Sequence, residues 1–151
     1  MSVKARLAEL GLELPTVVKP LASYVPAVRT GNLVYTAGQL PMVDGALAGS
    51  GKVGAEVTPE RAAELARICA LNALAAVDAL VGIESVTRVV KVVGFVASAS
   101  GFTGQPSVVN GASQLLGDVF GDAGAHARSA VGVSELPLDA PVEVELVVEV
   151  A

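Results

Sequence analysis

The last stretch of the chain alternates residue by residue. Val142, Val144, Leu146, Val148 and Val150 share one parity, and Glu143, Glu145 and Glu149 the other; only Val147 departs from the pattern. That is the period of a half-buried strand. Residues 128–133 are also strand-like, and the Leu136-Pro137-Leu138-Asp139 turn between the two runs predicts an antiparallel hairpin. Upstream, residues 3–11 read as a short helix with Leu7 and Leu10 on one side and Gly11 as its stop. Val17-Val18 reads as a short strand before Pro20. Residues 24–29 and 33–37 read as two strands joined by a Thr30-Gly31-Asn32 turn. Thr58-Pro59-Glu60 is a helix start, with a hydroxyl cap, a proline in the first turn and an acid beside it. Leu65, Ile68, Cys69, Ala73, Ala76, Val77 and Leu80 then recur at three- and four-residue steps, predicting an amphipathic helix that ends near Gly82. Residues 86–96 carry the strongest strand signal. Residues 108–120 form a second helix closed by Gly121-Asp122-Ala123-Gly124. Residues 42–57 hold four glycines and no helical period; they read as a loop.

The predicted order is helix, hairpin, loop, helix, strand, helix, hairpin. This is an α+β pattern: one mixed β-sheet with two helices packed on one face. We expect a single domain over residues 1–151, with residues 1–16 as an N-terminal helical extension. Strand residues such as 89–93 are apolar on both faces, so the second face of the sheet is expected to be covered by another chain.

Composition narrows the function. The chain is 52% hydrophobic but only 3% aromatic, so its core is built of Val, Leu and Ala. No apolar run approaches the roughly 20 residues of a membrane helix. The first 14 residues are charged throughout and lack the apolar centre of a signal peptide, which predicts no membrane and a cytoplasmic location. The one cysteine, Cys69, fits a reducing compartment and lies in the apolar stripe of the long helix, as a packing residue and not a nucleophile. The net charge of −5 and the lack of any Lys/Arg run argue against nucleic acid as a partner. One histidine and one cysteine make no metal cluster with ligand spacing. Gly49-Ser50-Gly51-Lys52 fails as a phosphate loop: Ala46 stands where the first glycine belongs, Val53 where Ser or Thr does, and no helix follows directly.

One cation stands out. Arg128 is the only Lys or Arg after Lys91, in a segment holding seven Asp and Glu. Two readings are open: its planar guanidinium binds a ligand carboxylate through paired hydrogen bonds, or it pairs with Glu143 or Glu145 across the predicted hairpin. His126, the sole histidine, lies two residues before it, either as an acid–base group or as an ordinary loop residue.

Ala127-Arg128-Ser129-Ala130-Val131, followed by Leu136-Pro137 and Val142-Glu143-Val144-Glu145, resembles the C-terminal signature of the RidA/YjgF family. Thr36-Ala37-Gly38-Gln39-Leu40-Pro41 resembles its second motif. Tyr24, Asn72 and Val108-Val109-Asn110 fall where that family places a tyrosine, a helix-one polar residue and the Val-Asn of helix two. The likeness runs from about Tyr24 to Ala151. It implies a chorismate-mutase-like fold and a homotrimer with sites between subunits. It also implies hydrolytic deamination of reactive enamines and imines such as 2-iminopropanoate to 2-oxo acids and ammonia, without a cofactor. By the same resemblance Arg128 binds the substrate carboxylate and Glu143 activates water, with Glu145 as the alternative if the register shifts. Tyr24, Ala37, Gly38 and Asn110 line the site. The N-terminal helix and the Gly-rich loop suggest a divergent branch. So do Ala37 in place of a serine, Ser113 of an aromatic, His126 of a proline and Gly132 of a glutamate. The other reading on the same trimeric fold is a non-catalytic protein that binds small carboxylates.

Overall fold

The computed structural model describes residues 1–18, 20 and 22–151. Helix α1 (Val3–Glu9) is capped by the Ser2 hydroxyl, and its first amides donate to the Glu84 carboxylate at 2.7 and 3.0 Å. Those amides, of Lys4 and Val3, hold the Glu84 carboxyl below its ordinary value. Strands β1 (Ala27–Thr30) and β2 (Leu33–Thr36) form the expected hairpin. Helix α2 (Pro59–Val81) starts at Thr58, whose hydroxyl accepts from the Arg61 amide at 3.1 Å, and stops at Gly82 (φ +82°). Strand β5 (Val86–Ala97) crosses the molecule, and helix α3 (Gln105–Phe120) follows. The chain ends in β6 (Ala127–Val133) and β7 (Val142–Val150).

The five long strands make one mixed sheet in the order β1-β2-β7-β5-β6. Val142, Val144, Leu146, Val148 and Val150 face the helices and are at most 1% exposed. Cys69 lies fully buried among them, and burial pushes its thiol pKa up; it is a packing residue, as expected. Helix α3 is drawn in at two glycines. Gly111 lies against the Ala63 carbonyl of α2, and Gly94 of β5 lies under the Val109 side chain. A Cβ at either position would overlap its neighbour.

Three expectations on connectivity change. First, β6 and β7 do not pair. β6 runs parallel to β5, with Arg128 opposite Val92, while β7 lies antiparallel between β2 and β5. Alternation along a strand reports which face a residue takes, not which strand lies beside it. Here the long crossover through α3 sets β6 parallel to β5. Second, residues 42–57 are not all loop. Strands β3 (Met42–Val43) and β4 (Ala46–Leu47) form a small hairpin whose turn, Asp44-Gly45, takes positive φ at both residues. The rest is tied to the sheet end, where Val53 bridges Ala97 and Ala99 at 2.8 and 3.0 Å. Third, Val17-Val18 is not a strand. No described helix is long and apolar enough to cross a membrane.

The sheet face away from the helices carries Val28, Tyr35 and Val131, which are 52%, 47% and 42% exposed. Glu143, Glu145 and Glu149 share that face with Lys91, Val93 and Phe95.

Candidate functional site

The predicted site residues fall into two groups on opposite faces of the sheet. The first is built on a bulge. Strand β2 pairs with β7 as far as Tyr35 opposite Val147, and pairing resumes at Gln39 opposite Val144. Four steps on one strand thus match three on the other. The Thr36 hydroxyl fills the gap in the ladder by accepting from the Leu146 amide at 3.0 Å. The Ala37 amide turns away to Pro26 O at 2.8 Å. Asn72, 2% exposed on α2, donates to the carbonyls of Leu40 and Met42 at 3.1 and 3.0 Å and pins the exit of the motif. A bulge of this kind re-aims backbone at a site. Here it lays Gly38 against the Glu143 side chain: a Cβ on Gly38 would stand 2.5 Å from Glu143 Oε2. Tyr24, Tyr35, Ala37, Gly38 and Glu143 line one open depression.

Glu143 is half-buried there. Burial raises its carboxyl pKa above the ordinary value, and the like charge of Glu145 adds to the effect. Glu145 is two residues away on the same face. The Gly38→Ala variant is expected to push the Glu143 carboxyl off the bulge into water and return its pKa toward the ordinary value. Because only a flexible side-chain end has to move, Tm should change little. Carbon-detected NMR titration of the glutamates checks this; an unchanged Glu143 titration would mean that the carboxyl does not rest on Gly38.

The second group centres on Arg128. In parallel register with Val92, Arg128 takes the helix-covered face of edge strand β6. Asn110 and Ser113, three residues apart on α3, share one side of that helix. Arg128 Nη1 donates to Asn110 Oδ1 at 2.7 Å and to Ser113 Oγ at 3.3 Å. Both Nη1 hydrogens are thereby used. Among the described residues Arg128 has no carboxylate partner, and its Nε–Nη2 edge makes no hydrogen bond. Asn110 therefore holds the arginine. Ser113 and His126, read from the sequence only as departures from a pattern, contact each other: Ser113 Oγ lies 2.8 Å from His126 Nε2. The missed signal was spatial, since the two are thirteen residues apart.

The alternative pairing of Arg128 with Glu143 or Glu145 across a hairpin does not occur. The glutamates lie on the open face of β7, Arg128 on the helix face of β6, and β5 runs between those strands. Gly132, on the arginine's face, lies against Gln105 and Ser98; a Cβ there would stand 2.7 Å from Gln105 Nε2.

Fold and site together define an α+β protein whose mixed sheet bears helices on one face and candidate binding groups on both. The chain belongs to the RidA/YjgF family: the family model described as endoribonuclease L-PSP matches residues 3–150, α1 included. The chain is 43% identical to Protein TCP17 of Trypanosoma cruzi over 149 residues, covering 97% of this chain and 93% of that protein. A solved structure of a protein of unknown function from Agrobacterium tumefaciens is 44% identical with a TM-score of 0.91, covering 99% of this chain and 92% of that one. A structure described as an endoribonuclease candidate from Shewanella oneidensis is 30% identical with a TM-score of 0.95, covering 99% and 100%. The YjgF gene product of Escherichia coli is 25% identical with a TM-score of 0.64, covering 89% and 98%.

Proposed function

We propose that this protein hydrolyses reactive imines and enamines of the 2-iminopropanoate type to 2-oxo acids and ammonia, at sites shared between copies of the chain. The observation that carries the reading is the state of Arg128: a guanidinium fixed by two neutral acceptors, with one whole edge left for an anion. That edge matches the two oxygens of a carboxylate. Within one chain Arg128 and Glu143 lie on opposite faces with a strand between them. A site using both takes Arg128 from one copy and Glu143 from the next. The exposed apolar residues of the open face are consistent with that association, and a homotrimer is the assembly we expect.

The chemistry balances without a cofactor. Arg128 holds the substrate carboxylate and so orients the adjacent C=N carbon. The Glu143 carboxylate takes a proton from water as the oxygen bonds to that carbon, and passes that proton to the imine nitrogen. The resulting carbinolamine collapses: Glu143 carries its hydroxyl proton to the amine nitrogen, the C–N bond breaks, ammonia leaves, and the carbonyl of the 2-oxo acid forms. A half-buried carboxyl whose pKa is raised by burial is a stronger base than an exposed glutamate, which suits this exchange of protons.

The test is ammonia release from freshly generated 2-iminopropanoate, with wild type beside Arg128→Ala. Acceleration by wild type that is absent in the variant is expected; no acceleration over buffer would sink the deaminase reading. The acid limb of kcat/KM should lie above the ordinary glutamate value, because the base must be deprotonated and burial raises its pKa. Glu145→Gln removes the neighbouring charge and should move that limb to lower pH. A limb that stays in place would assign it to another group.

A second reading rests on the separation of Arg128 from Glu143 within one chain: Arg128 binds a small carboxylate and no turnover follows. Turnover unchanged in Glu143→Gln would remove Glu143 from the chemistry, and pyruvate binding by wild type without imine turnover would favour the binding module. The endoribonuclease description of relatives is set against this chain's net charge of −5. Robust RNA cleavage by highly purified protein, lost in Arg128→Ala, would overturn the ranking.

A further inference from the structure

His126 Nδ1 lies 2.6 Å from the Gly124 carbonyl oxygen, and its Nε2 lies 2.8 Å from Ser113 Oγ. A carbonyl oxygen only accepts, so Nδ1 carries a proton. In the neutral ring Nε2 is then a lone pair, and the Ser113 hydroxyl donates to it. With its one proton directed there, Ser113 Oγ faces Arg128 as an acceptor, and Nη1 donates to it at 3.3 Å. The donors run one way, from Arg128 to Ser113 to His126 to Gly124, and each link polarises the next. Asn110 Oδ1 takes the second Nη1 hydrogen at 2.7 Å. Turning the guanidinium about its Cζ–Nε bond would break both bonds at once. Without His126 the Ser113 hydroxyl is a free rotor that can present its proton to the guanidinium, leaving Asn110 as the sole defined acceptor. The partner of His126 is itself fixed in place: the helical turn Gly121–Gly124 brings the Gly124 carbonyl under the ring.

We propose that His126 is a positioning residue: acting through Ser113, it fixes the Arg128 guanidinium so that the Nε–Nη2 edge faces the ligand carboxylate. The proposal deepens the reading given under "Proposed function" and takes the ligand from it, but the network stands on its own distances. The two residues that depart together from the pattern of better-known relatives, Ser113 and His126, act as one unit.

The experiment has a structural arm that needs no substrate. Nitrogen NMR of the single histidine should show the Nδ1–H tautomer once the ring is neutral. Arg128 should give separate Nη1 and Nη2 signals in wild type, the mark of slow guanidinium rotation. Those signals should merge in His126→Ala and in Ser113→Ala, and separate again in His126→Gln, whose side-chain oxygen can accept from Ser113. The kinetic arm expects KM for 2-iminopropanoate to rise about tenfold in His126→Ala with kcat within about threefold, because the loss is one of substrate holding. The same substitution should add nothing in the Ser113→Ala background. An Nε2–H tautomer, a guanidinium already rotating fast in wild type, or no change on His126→Ala would overturn the proposal. Slow rotation released by His126→Ala in a protein that turns over no imine would sink the deaminase reading and keep this one. Turnover abolished by Arg128→Ala but untouched by His126→Ala would do the reverse.

Discussion

Mixing Arg128→Ala protein with Glu143→Gln protein, under conditions that exchange subunits, is expected to restore about a quarter of wild-type turnover from two inactive preparations. Each variant alone should lose turnover by about a hundredfold or more, since under the proposed mechanism one lacks the carboxylate anchor and the other the proton acceptor. The recovery follows from the sheet if the proposed site holds. Arg128 and Glu143 occupy opposite faces with β5 between their strands, so a site that uses both would draw them from two chains. In a random mixture a site is intact when the chain supplying Arg128 is the Glu143 variant and its neighbour is the Arg128 variant; each condition holds about half the time. Light scattering on the mixed sample fixes the assembly, and ammonia release reads the outcome. Recovery indistinguishable from zero, with exchange verified, would mean that the two residues do not meet across copies of the chain.

The second large effect concerns the packing that places Asn110 and Ser113. Gly111 lies between them, where α3 comes down on the Ala63 carbonyl of α2. A methyl group at that position meets backbone on the facing helix, which cannot swing aside as a side chain can. Gly111→Ala is expected to cost about 3 kcal/mol and lower Tm by about 8 °C. Gly117, in the same helix, is exposed, and a methyl group there would meet nothing within 4 Å. Gly117→Ala should raise stability by about 0.5–1 kcal/mol, because alanine has the higher helix propensity and a less disordered unfolded state. Thermal and urea unfolding of the two variants side by side makes the comparison. If Gly111→Ala gains stability as Gly117→Ala does, the helices do not approach as closely as the structure has them. Because α3 carries the acceptors for Arg128, Gly111→Ala should also weaken substrate binding beyond its effect on stability.

The same contrast runs through the rest of the molecule. Thr58-Pro59, the apolar stripe of α2 and the alternation of β7 were legible because each is a local property: a cap acts within one turn, and a period of 3.6 or 2 reports one element's exposed and buried sides. The motif residues Thr36–Pro41 and 127–131 were legible as motifs. What they did could not be read from them. The bulge that lays Gly38 on Glu143 depends on β7 pairing with β2, 110 residues away from Thr36 at the Leu146 amide. The hairpin expected for β6 and β7 was drawn from adjacency in sequence, and the α3 crossover overrode it. With the hairpin went the ion pair that would have neutralised Arg128.

The sequence by itself determined the long helices and strands and their buried faces, because side-chain period and short-range caps fix these before any strand has found a neighbour, and its motifs carried the family. Only the tertiary structure decided the order β1-β2-β7-β5-β6. That order put Arg128 and Glu143 on opposite faces and brought Ser113 to His126. The physical reason is that strand neighbours and helix docking are chosen by the burial of the whole core, in which Gly94 and Gly111 let α3 settle against both sheet and helix. The arginine's partners, and the edge it leaves open, follow from that docking.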